Sequence, residues 1–551
     1  MDNIRNLLVI ITLILVTGSV SFGQDRYVVK YKYKPQTEYS LEEPGAFLTQ
    51  KALDRRDREG VLADSTDLPV SQQYVDEVRG MVEKILYNSK WFNASIVIAT
   101  NEQVKKLLDL DFVMEEGVEL IAKGYYTEGE NSRKSLLKSP LNIQILSKSK
   151  TEDDYAFQNG LLGVPEMHAE GLTGFGMTIA VFDGGFLNME EIEGMRHLLD
   201  DEKIIATKDY VHHWSDNVFR ADAHGTSALS LIAANDVNTL VSGAYDANYI
   251  LCITEDVDSE YRIEEYNWAR AAEFADSLGT DIISSSLGYT IFSDPSMNYG
   301  KSALDGETAL ITKAASLAGE KGILVVSSAG NDGGSSETTI TAPADAKGIL
   351  SVGAVNMDLT RSSFSSVGPT ADGRIKPDVM ALGNGVRLLR GSTGSSTSSG
   401  TSFSAPQIAA LAAGIWQGRP EWTKDELIHY ILQSGDNSAD PNNEFGYGVP
   451  NFELAYFGEV LETENQPEIY ETKIYPNPLD GNELFIQFGH QEQCDYTLLD
   501  INGRVIGKNT LSRKSNGDPY QIQLTSINTG LYVIELVEGF TAERHKLLIR
   551  Q

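Results

Sequence analysis

Apolar runs of strand-like composition recur through the middle of the chain, from about residue 151 to 457, and alternate with helical patterns. These runs lie at 178–182, 249–253, 282–283, 323–326 and 349–352. Strands that are apolar at every position are buried on both faces, as in parallel sheets covered by helices. About 300 residues are enough to bury one such core. The pattern predicts an α/β domain, a parallel sheet with helices on both faces.

The first 23 residues have the order of a secretory signal peptide. Arg5 precedes an apolar run over 7–16, and small residues follow it up to Gly23. Ten residues rise only about 15 Å as a helix, which is too short for a hydrocarbon layer of about 30 Å. We therefore predict that residues 1–23 are a cleaved signal peptide and that the exported protein has no membrane span.

Residues 24–150 carry strand and helix patterns of their own and are predicted to form a small α+β domain. The predicted elements are strands at 27–31 and 94–99 and helices at 75–85 and 102–110. The segment ends in a basic stretch in an otherwise acidic chain, with Arg133, Lys134, Lys138, Lys148 and Lys150. Polar, basic stretches are common cleavage points between domains. The central domain is accordingly predicted at 151–457.

The last part of the chain changes to an all-β pattern. A linker at 458–472 is rich in glutamate and has no lysine or arginine. Apolar and polar residues then alternate at 483–487 and 531–536, and Asn502-Gly503 is a strong hairpin signal. Residues 473–551 are therefore predicted to form a sandwich-like β-module.

Composition excludes several functions. The formal net charge is −33, so phosphate repulsion makes nucleic acid an unfavourable general partner. The chain has two cysteines, Cys252 and Cys494, which excludes a disulfide scaffold. The sequence has neither a phosphate-cradling loop nor a twelve-residue calcium loop, and His212-His213 lacks a third ligand at metal spacing. We expect no metal in the reaction and no cofactor required for it.

A reactive side chain stands among glycines or other small residues at four places in the central domain. Asp183 ends a predicted strand, and His224 begins a helical stretch. Asn331 follows another strand, and Ser402 precedes a helix predicted at 407–416. Each segment alone fits an ordinary turn or helix cap. Together, on a parallel sheet that places its site at one edge, they favour catalysis.

These four residue types suit acyl transfer by a serine nucleophile. The hydroxyl of Ser402 needs a neighbouring imidazole to accept its proton. The imidazole of His224 needs a carboxylate, here Asp183, to fix its tautomer and stabilise its charged form. An asparagine N–H, from Asn331, can hold the oxyanion of the tetrahedral intermediate.

The central region resembles the subtilisin-like serine proteases, the subtilases. The resemblance implies that Asp183 is the catalytic aspartate, His224 the general base, Ser402 the nucleophile and Asn331 the oxyanion asparagine. It further implies two substrate-binding segments. The first is Ser286, Leu287 and Gly288, which pairs with extended substrate, and the second is Ala329 and Gly330, which forms the opposite wall of a pocket near Thr341. One departure is Gly184, where the family usually has serine or threonine, so that a local hydrogen bond is expected to be lost.

The resemblance gives each segment a role. Residues 24–150 have the position of a subtilase propeptide that assists folding and inhibits the enzyme, the alternative being a permanent accessory domain. Residues 473–551 resemble the sorting domain of the type IX secretion system, the alternative being a β-module that binds protein or carbohydrate. The resemblance to the sorting domain rests on the motifs Tyr475-Pro476-Asn477-Pro478 and Thr529-Gly530-Leu531-Tyr532.

The implied function is a secreted serine endopeptidase that acts on protein or peptide substrates and meets secretion machinery through its C-terminal domain. Two alternatives stay open: a catalytically silent subtilase fold that serves as a binding protein or adhesin, and a hydrolase that cleaves esters with the same residues. Structural calcium is implied by the family alone.

Overall fold

The structure is a computed structural model, and it describes residues 25–35, 37–124, 155–213, 215–334, 339–391, 394–458, 473–488, 493–500, 504–513, 519–525, 527–538 and 541–550. The predicted signal peptide, the basic stretch at 133–150, the linker from residue 459 and the Asn502-Gly503 turn lie outside the described residues. The chain forms two compact units, divided after Gly458.

The N-terminal part of the first unit is a four-stranded antiparallel sheet with helices. Its elements are β1 (Arg26–Tyr31), α1 (Gln50–Glu59), α2 (Gln72–Arg79), β2 (Lys84–Ser89), β3 (Ala94–Ile98), α3 (Asn101–Leu108) and β4 (Val113–Ala122). The strand order is β2-β3-β1-β4. This is the α+β architecture expected of the segment.

One predicted helix of this part is wrong in its second half. The pattern predicts a helix over 75–85, whereas α2 ends at Arg79 and residues 84–89 form β2. Gly80 ends the helix, because glycine loses more backbone entropy in a helix than any other residue. The apolar residues after it then pair with β3 instead of continuing the helical face.

The rest of the first unit carries the elements of the central domain. Its strands are β5 (Thr178–Asp183), β6 (Ile204–Asp209), β7 (Asn235–Asp236), β8 (Leu240–Val241), β9 (Asn248–Ile253), β10 (Ile282–Ser285), β11 (Leu324–Ser328), β12 (Leu350–Val355), β13 (Val379–Leu382), β14 (Val386–Leu389) and β15 (Ser395–Ser398). Its helices are α4 (Ala156–Leu162), α5 (Val164–Ala169), α6 (His197–Asp200), α7 (His224–Ala233), α8 (Ile263–Leu278), α9 (Leu310–Glu320), α10 (Ala405–Gly418), α11 (Lys424–Gln433) and α12 (Phe452–Phe457).

Seven of these strands form one parallel sheet in the order β13-β12-β11-β10-β5-β9-β6. Every residue of β5, β10, β11, β12 and β13 is buried. Alternate residues of β5 enter two cores: Ile179 and Val181 pack with α7 and α10, and Ala180 and Phe182 pack with α8 and α9. The predicted parallel sheet, covered by helices on both faces, is confirmed.

The N-terminal sheet packs against α8 of the central domain. Val28 and Ile96 share one apolar cluster with Ile263 and Tyr266 of α8. The opposite face of the same sheet is covered by its own helices, where Val78 of α2 is fully buried. The N-terminal domain therefore buries one face on itself and the other on the central domain.

The second unit is all-β, as predicted. Its strands are β16 (Lys473–Tyr475), β17 (Glu483–Gln487), β18 (Gln493–Asp500), β19 (Val505–Ser512), β20 (Tyr520–Gln523), β21 (Gly530–Glu538) and β22 (Thr541–Ile549). They form two antiparallel sheets, β16-β17-β20 and β19-β18-β21-β22, around a common apolar core. Across both units, the described helices include none long and apolar enough to cross a membrane.

Candidate active site

Four neighbouring strands of the parallel sheet bring the candidate residues to one edge. In the order β11, β10, β5 and β9, their carboxyl ends lead into Ala329, Ser286, Asp183 and Thr254. The register holds these ends level, since Phe182 lies opposite Ser285. Open parallel sheets bind their ligands at this edge. The segments that sequence analysis selected separately therefore meet in one place.

Asp183 and His224 form the best-defined contact of the site. Nδ1 of His224 lies 2.9 Å from one carboxylate oxygen of Asp183 and 3.0 Å from the other. Asp183 is fully buried, whereas the His224 side chain is about one quarter exposed. This geometry orients the imidazole and leaves part of the ring open to the cleft.

The surroundings of His224 favour its charged form. Burial on its own would lower the pKa of the imidazole, but the adjacent Asp183 carboxylate outweighs it, with smaller contributions from Glu255 and Asp222. Together they raise the pKa of His224 to about 9. A base with a raised pKa accepts a proton readily, and it stabilises the imidazolium that forms during acyl transfer.

The glycine after His224 allows α7 to approach Asp183. A Cβ atom at Gly225 would lie 2.4 Å from the Gly185 carbonyl oxygen and 2.8 Å from Cβ of Asp183. The backbone N–H of His224 is held by the Asp222 carboxylate at 2.6 Å, at the start of the helix. Packing therefore requires glycine at position 225, directly after the histidine that the chemistry requires.

Ser402 lies in a 3₁₀ turn, Thr401–Phe403, and not directly at the start of α10, which begins at Ala405. The turn packs against α7, and the Phe403 ring centroid is 5.3 Å from that of His224. The Ser402 hydroxyl donates to the Ser286 carbonyl at 3.2 Å rather than to His224. Catalytic hydrogen bonds often form only in the substrate complex. We therefore expect the Ser402 hydroxyl to rotate toward His224 when substrate binds.

Asn331 is fixed by the same turn. Its Oδ1 accepts hydrogen bonds from the backbone N–H of Thr401 at 3.0 Å and from the Thr401 hydroxyl at 3.1 Å. The amide oxygen is thereby occupied next to Ser402, and the amide Nδ2 remains as the donor. The arrangement is suited to binding a negatively charged oxygen.

The two predicted walls of the substrate pocket converge on Thr341. A Cβ atom at Gly288 would lie 2.1 Å from Oγ1 of Thr341, and one at Gly330 would lie 2.9 Å from its Cγ2. Leu287 and Ala329 are buried behind these glycines. The Ser286 hydroxyl donates to the Ser402 carbonyl at 2.8 Å and so ties one wall to the turn that carries the serine.

The departure at Gly184 has a packing explanation. A Cβ atom there would lie 2.9 Å from Cγ1 of Val257 and 3.4 Å from Oε2 of Glu255. The segment after β9 therefore occupies the space of the side chain usual at this position. The local hydrogen bond expected to be lost has a backbone counterpart, since the Gly184 N–H donates to Asp183 at 2.8 Å.

Sequence analysis missed a group of glutamates beside this segment, which we name the acidic cluster: Glu255, Glu260 and Glu264. Each contributes a carboxylate oxygen within 4.8 Å of the other two. Burial, followed by repulsion from Asp183, raises the pKa of Glu255 to about 8. The six acidic residues over 255–265 were the available signal, but such a group of charges usually marks a solvated surface.

The acidic cluster does not match a calcium site well. Calcium takes about six to eight oxygen ligands. One oxygen of Glu264 already accepts a hydrogen bond from the Tyr261 N–H at 2.9 Å, and Arg26 of the N-terminal domain faces the same group. Among the described residues this is the one group of three such ligands, so we assign no structural calcium.

Three family descriptions match successive parts of the chain. The subtilase family of S8 peptidases matches residues 174–448, and the S8 propeptide domain of Bacteroidota matches residues 26–135. A secretion-system C-terminal sorting domain matches residues 473–550. The sorting domain confirms the expected secretion to the cell surface or the extracellular medium.

Individual proteins are also similar to parts of the chain. Serine protease AprX of Bacillus subtilis (strain 168) is 30% identical over 320 residues, which cover 52% of this chain and 68% of AprX. Subtilisin NAT of Bacillus subtilis subsp. natto is 27% identical over 338 residues, covering 60% of this chain and 79% of that protein. The crystal structure of MycP1 from Mycobacterium smegmatis shares 22% identity, with a TM-score of 0.43, and covers 54% of this chain and 84% of that one. The chain therefore belongs to the subtilase family and is a subtilisin-like serine protease with a propeptide domain and a secretion sorting domain.

Proposed function

We propose that the protein is a secreted endopeptidase in which Asp183, His224 and Ser402 hydrolyse peptide bonds through an acyl-enzyme. The observation that carries the proposal is the contact between Nδ1 of His224 and Asp183 at 2.9 Å, with the serine turn packed against the same helix. A buried carboxylate that contacts an imidazole beside a serine is the arrangement that activates a hydroxyl for attack.

In the proposed reaction, Ser402 rotates from the Ser286 carbonyl toward Nε2 of His224. His224 takes the hydroxyl proton as the oxygen attacks the scissile carbonyl, and it then gives this proton to the leaving amine. Water, deprotonated by the same imidazole, hydrolyses the acyl-enzyme. Asp183 keeps its charge throughout and stabilises the imidazolium.

The oxyanion of the tetrahedral intermediate is proposed to accept a hydrogen bond from Nδ2 of Asn331. The bonds from Thr401 to Oδ1 support this role, because they fix which end of the amide points away from the turn. Removal of one such donor typically costs about 2.7–4 kcal/mol of transition-state stabilisation.

Substrates are proposed to bind as an extended strand along Ser286, Leu287 and Gly288. Main-chain hydrogen bonds to a segment of this kind give affinity for any sequence, and side-chain pockets give specificity. The side chain next to the attacked carbonyl would enter the pocket between Gly288 and Gly330, above Thr341.

We also propose the domain organisation of the precursor. Residues 1–23 are the signal peptide, 24–150 an inhibitory and folding-assisting propeptide, 151–457 the catalytic domain, 458–472 a linker and 473–551 the module read by the secretion machinery. The support for a propeptide is its apolar packing on α8, with the basic stretch at 133–150 between it and the catalytic domain.

The proposal is tested by labelling the secreted, processed protein with a fluorophosphonate probe, with Ser402→Ala as the control. We expect labelling in the native sequence and none in the variant, which would also remain unprocessed. A correctly folded, processed protein that takes no label would favour the silent binding protein. A protein that is labelled but hydrolyses only esters, and no peptide, would favour the esterase.

A further inference from the structure

The acidic cluster lies on the opposite side of the candidate catalytic residues from the pocket at Thr341. The predicted walls of that pocket follow the ends of β10 and β11, whereas Glu255 follows β9, beyond β5 and Asp183. The Thr254 N–H donates to the Asp183 carbonyl at 3.0 Å, which fixes the start of this segment against the sheet edge. A substrate strand would therefore run between two side-chain sites of different chemistry.

The carboxyl groups of the cluster have fewer hydrogen-bond and ion-pair partners than their burial requires. Glu264 is fully buried, and its second carboxylate oxygen has no hydrogen-bond partner. The Tyr289 hydroxyl is also buried and without a hydrogen-bond partner. The three glutamates of the cluster and Glu265 all act on it electrostatically. Buried polar atoms are almost always hydrogen-bonded in folded proteins, so these two unpaired atoms require an explanation, and an absent ligand would supply one.

A positively charged side chain already faces part of this group in the full-length chain. The guanidinium of Arg26, in the N-terminal domain, is stabilised by Asp256 and Glu264, and its Nε has no hydrogen-bond partner. Removal of the N-terminal domain would take this charge away and leave the cluster open to a ligand. The residues that would bind are carboxylates, and a guanidinium or ammonium group is their natural partner.

We propose that the acidic cluster binds a lysine or arginine side chain of the substrate, carried by the second or fourth residue on the amino side of the scissile bond. Side chains of an extended strand alternate between two faces. The first residue before the bond enters the pocket at Thr341, so the second and fourth face the other way, toward Glu255. This inference rests on the proposed function and adds the class of substrate to it.

The chain itself supplies a fitting substrate. The stretch before the catalytic domain carries Arg133, Lys134, Lys138, Lys148 and Lys150, within a protein of net charge −33. A basic junction and an acidic substrate site are complementary, so the enzyme's own junction is its expected first substrate. We expect N-terminal sequencing of the processed enzyme to place a lysine or arginine second or fourth before the cleaved bond.

The test compares peptides that differ in one charge. Fluorogenic peptides carry either lysine or uncharged norleucine at the second, third or fourth position before the bond, and the processed full-chain enzyme is assayed with each. We expect kcat/KM for lysine to exceed that for norleucine by about 10- to 100-fold at the second or fourth position, the range of a charged hydrogen bond. At the third position, which faces away, we expect a ratio near one.

Variants connect the preference to the cluster. Glu260→Gln and Glu255→Gln, both at half-buried positions, should reduce the lysine-to-norleucine ratio to within about threefold of unity. Glu320→Gln is the matched control, since it removes the same charge from an exposed position at the end of α9 and should keep the ratio. Labelling by the fluorophosphonate probe checks that each variant is folded and processed.

The outcomes separate this inference from the proposed function. An enzyme that is labelled and cleaves norleucine peptides, but shows no lysine preference at either position, overturns the inference and leaves the function intact. So does a preference that both glutamine variants retain. Calcium bound by the native enzyme and lost in both variants would instead assign the cluster to a metal. Absence of labelling removes the proposed function, and this substrate site with it.

Discussion

Two groups of buried charges in the first unit differ in how completely they are paired. Where α1 of the N-terminal domain meets α8, Asp276 accepts hydrogen bonds from Arg55 at 2.5 Å and from Arg56 at 2.9 Å. Arg56 also bonds both oxygens of Asp67, at 2.8 and 2.9 Å, and Lys321 lies 3.2 Å from the same carboxylate. Asp276 and Asp67 therefore each have at least two cations beside them.

The acidic cluster has the opposite balance. Glu255, Glu260 and Glu264 repel one another, and burial raises the pKa of each. Among the described residues, the positive charges that stabilise them are His224, beside Glu255, and Arg26, which faces Glu264 from the N-terminal domain. Buried charges without full compensation cost stability.

The two groups separate charges that stabilise the fold from charges that act on the catalytic base. A paired network of arginines and aspartates holds the N-terminal domain to the central one, and breaking one partner leaves the others buried and uncompensated. A group of buried carboxyls without enough positive partners, such as the acidic cluster beside His224, destabilises the resting protein. It also shifts the pKa of the imidazole, and a positively charged ligand can supply the missing partner.

The largest effect is expected from Asp183→Asn, which removes the charge that orients His224. The neutral amide would favour the wrong imidazole tautomer, and kcat should fall on the order of 10⁴-fold. The measurement is kcat on a fluorogenic peptide, with circular dichroism to show that the fold is kept. Glu320→Gln is the control, and a loss of less than about tenfold would contradict the proposed role.

Removing one partner from the paired network should lower the free energy of unfolding. In an unprocessed Ser402→Ala background, Asp276→Ala leaves Arg55 and Arg56 without their shared anion, and we expect a loss of about 3–5 kcal/mol. Urea unfolding followed by tryptophan fluorescence measures it. Asp76→Ala is the matched control, because the Asp76–Arg79 pair is more than half exposed and should contribute less than about 1 kcal/mol. Equal losses in the two variants would refute the distinction.

The sequence was sufficient for the sheet and for the position of Asp183 at its edge. Continuous apolar runs identify buried parallel strands, and residues at their carboxyl ends must meet at one edge. The hydrogen bond of Ser402 was not predictable, because its rotamer depends on where the Ser286 carbonyl lies. The helix predicted over 75–85 was wrong beyond Arg79, because the apolar residues of α2 and those at the start of β2 fit a single helical spacing.

Neither group of charges could be predicted from the sequence, for a related reason. Arg56 and Asp276 are 220 residues apart, and pairing at that separation depends on the docking of two domains. The three glutamates of the acidic cluster are close in sequence, yet only the fold shows that Glu264 is buried. Composition indicates that charges exist, but burial decides whether they are solvated, paired or left for a ligand.

Acid should weaken the interface network in a defined pH range. Burial would raise the pKa of Asp67, but the hydrogen bond and charge of Arg56, with Lys321, lower it from 3.8 to about 2. Because the folded pKa lies below the unfolded one, this stabilisation is complete above about pH 4 and is lost as the pH falls toward 2. It amounts to about 2–3 kcal/mol.

Unfolding of the Ser402→Ala precursor between pH 6 and pH 2 measures this contribution. Asp67→Asn should be less stable near neutral pH and should lose less on acidification than the precursor with Asp67. Asp76→Asn is the control and should follow the parent curve. Parallel curves for the Asp67 variant and the parent would show that Asp67 does not carry the acid dependence.

The smallest effect is expected at Glu255, where the unpaired group meets the catalytic base. Neutral His224 is the active form, so kcat/KM rises with pH as the imidazole loses its proton, and the raised pKa moves this rise toward alkaline pH. Glu255→Gln removes one charge that raises this pKa, so the rise should shift to lower pH by about half a unit. The effect should appear above about pH 8, where the Glu255 carboxyl is ionised. There, below the plateau of the profile, activity on norleucine peptides should increase up to about threefold, while Glu320→Gln leaves the profile in place. A shift to higher pH, or none, would mean that the Glu255 carboxylate does not act on His224, and the acidic cluster would then be separate from the catalytic base.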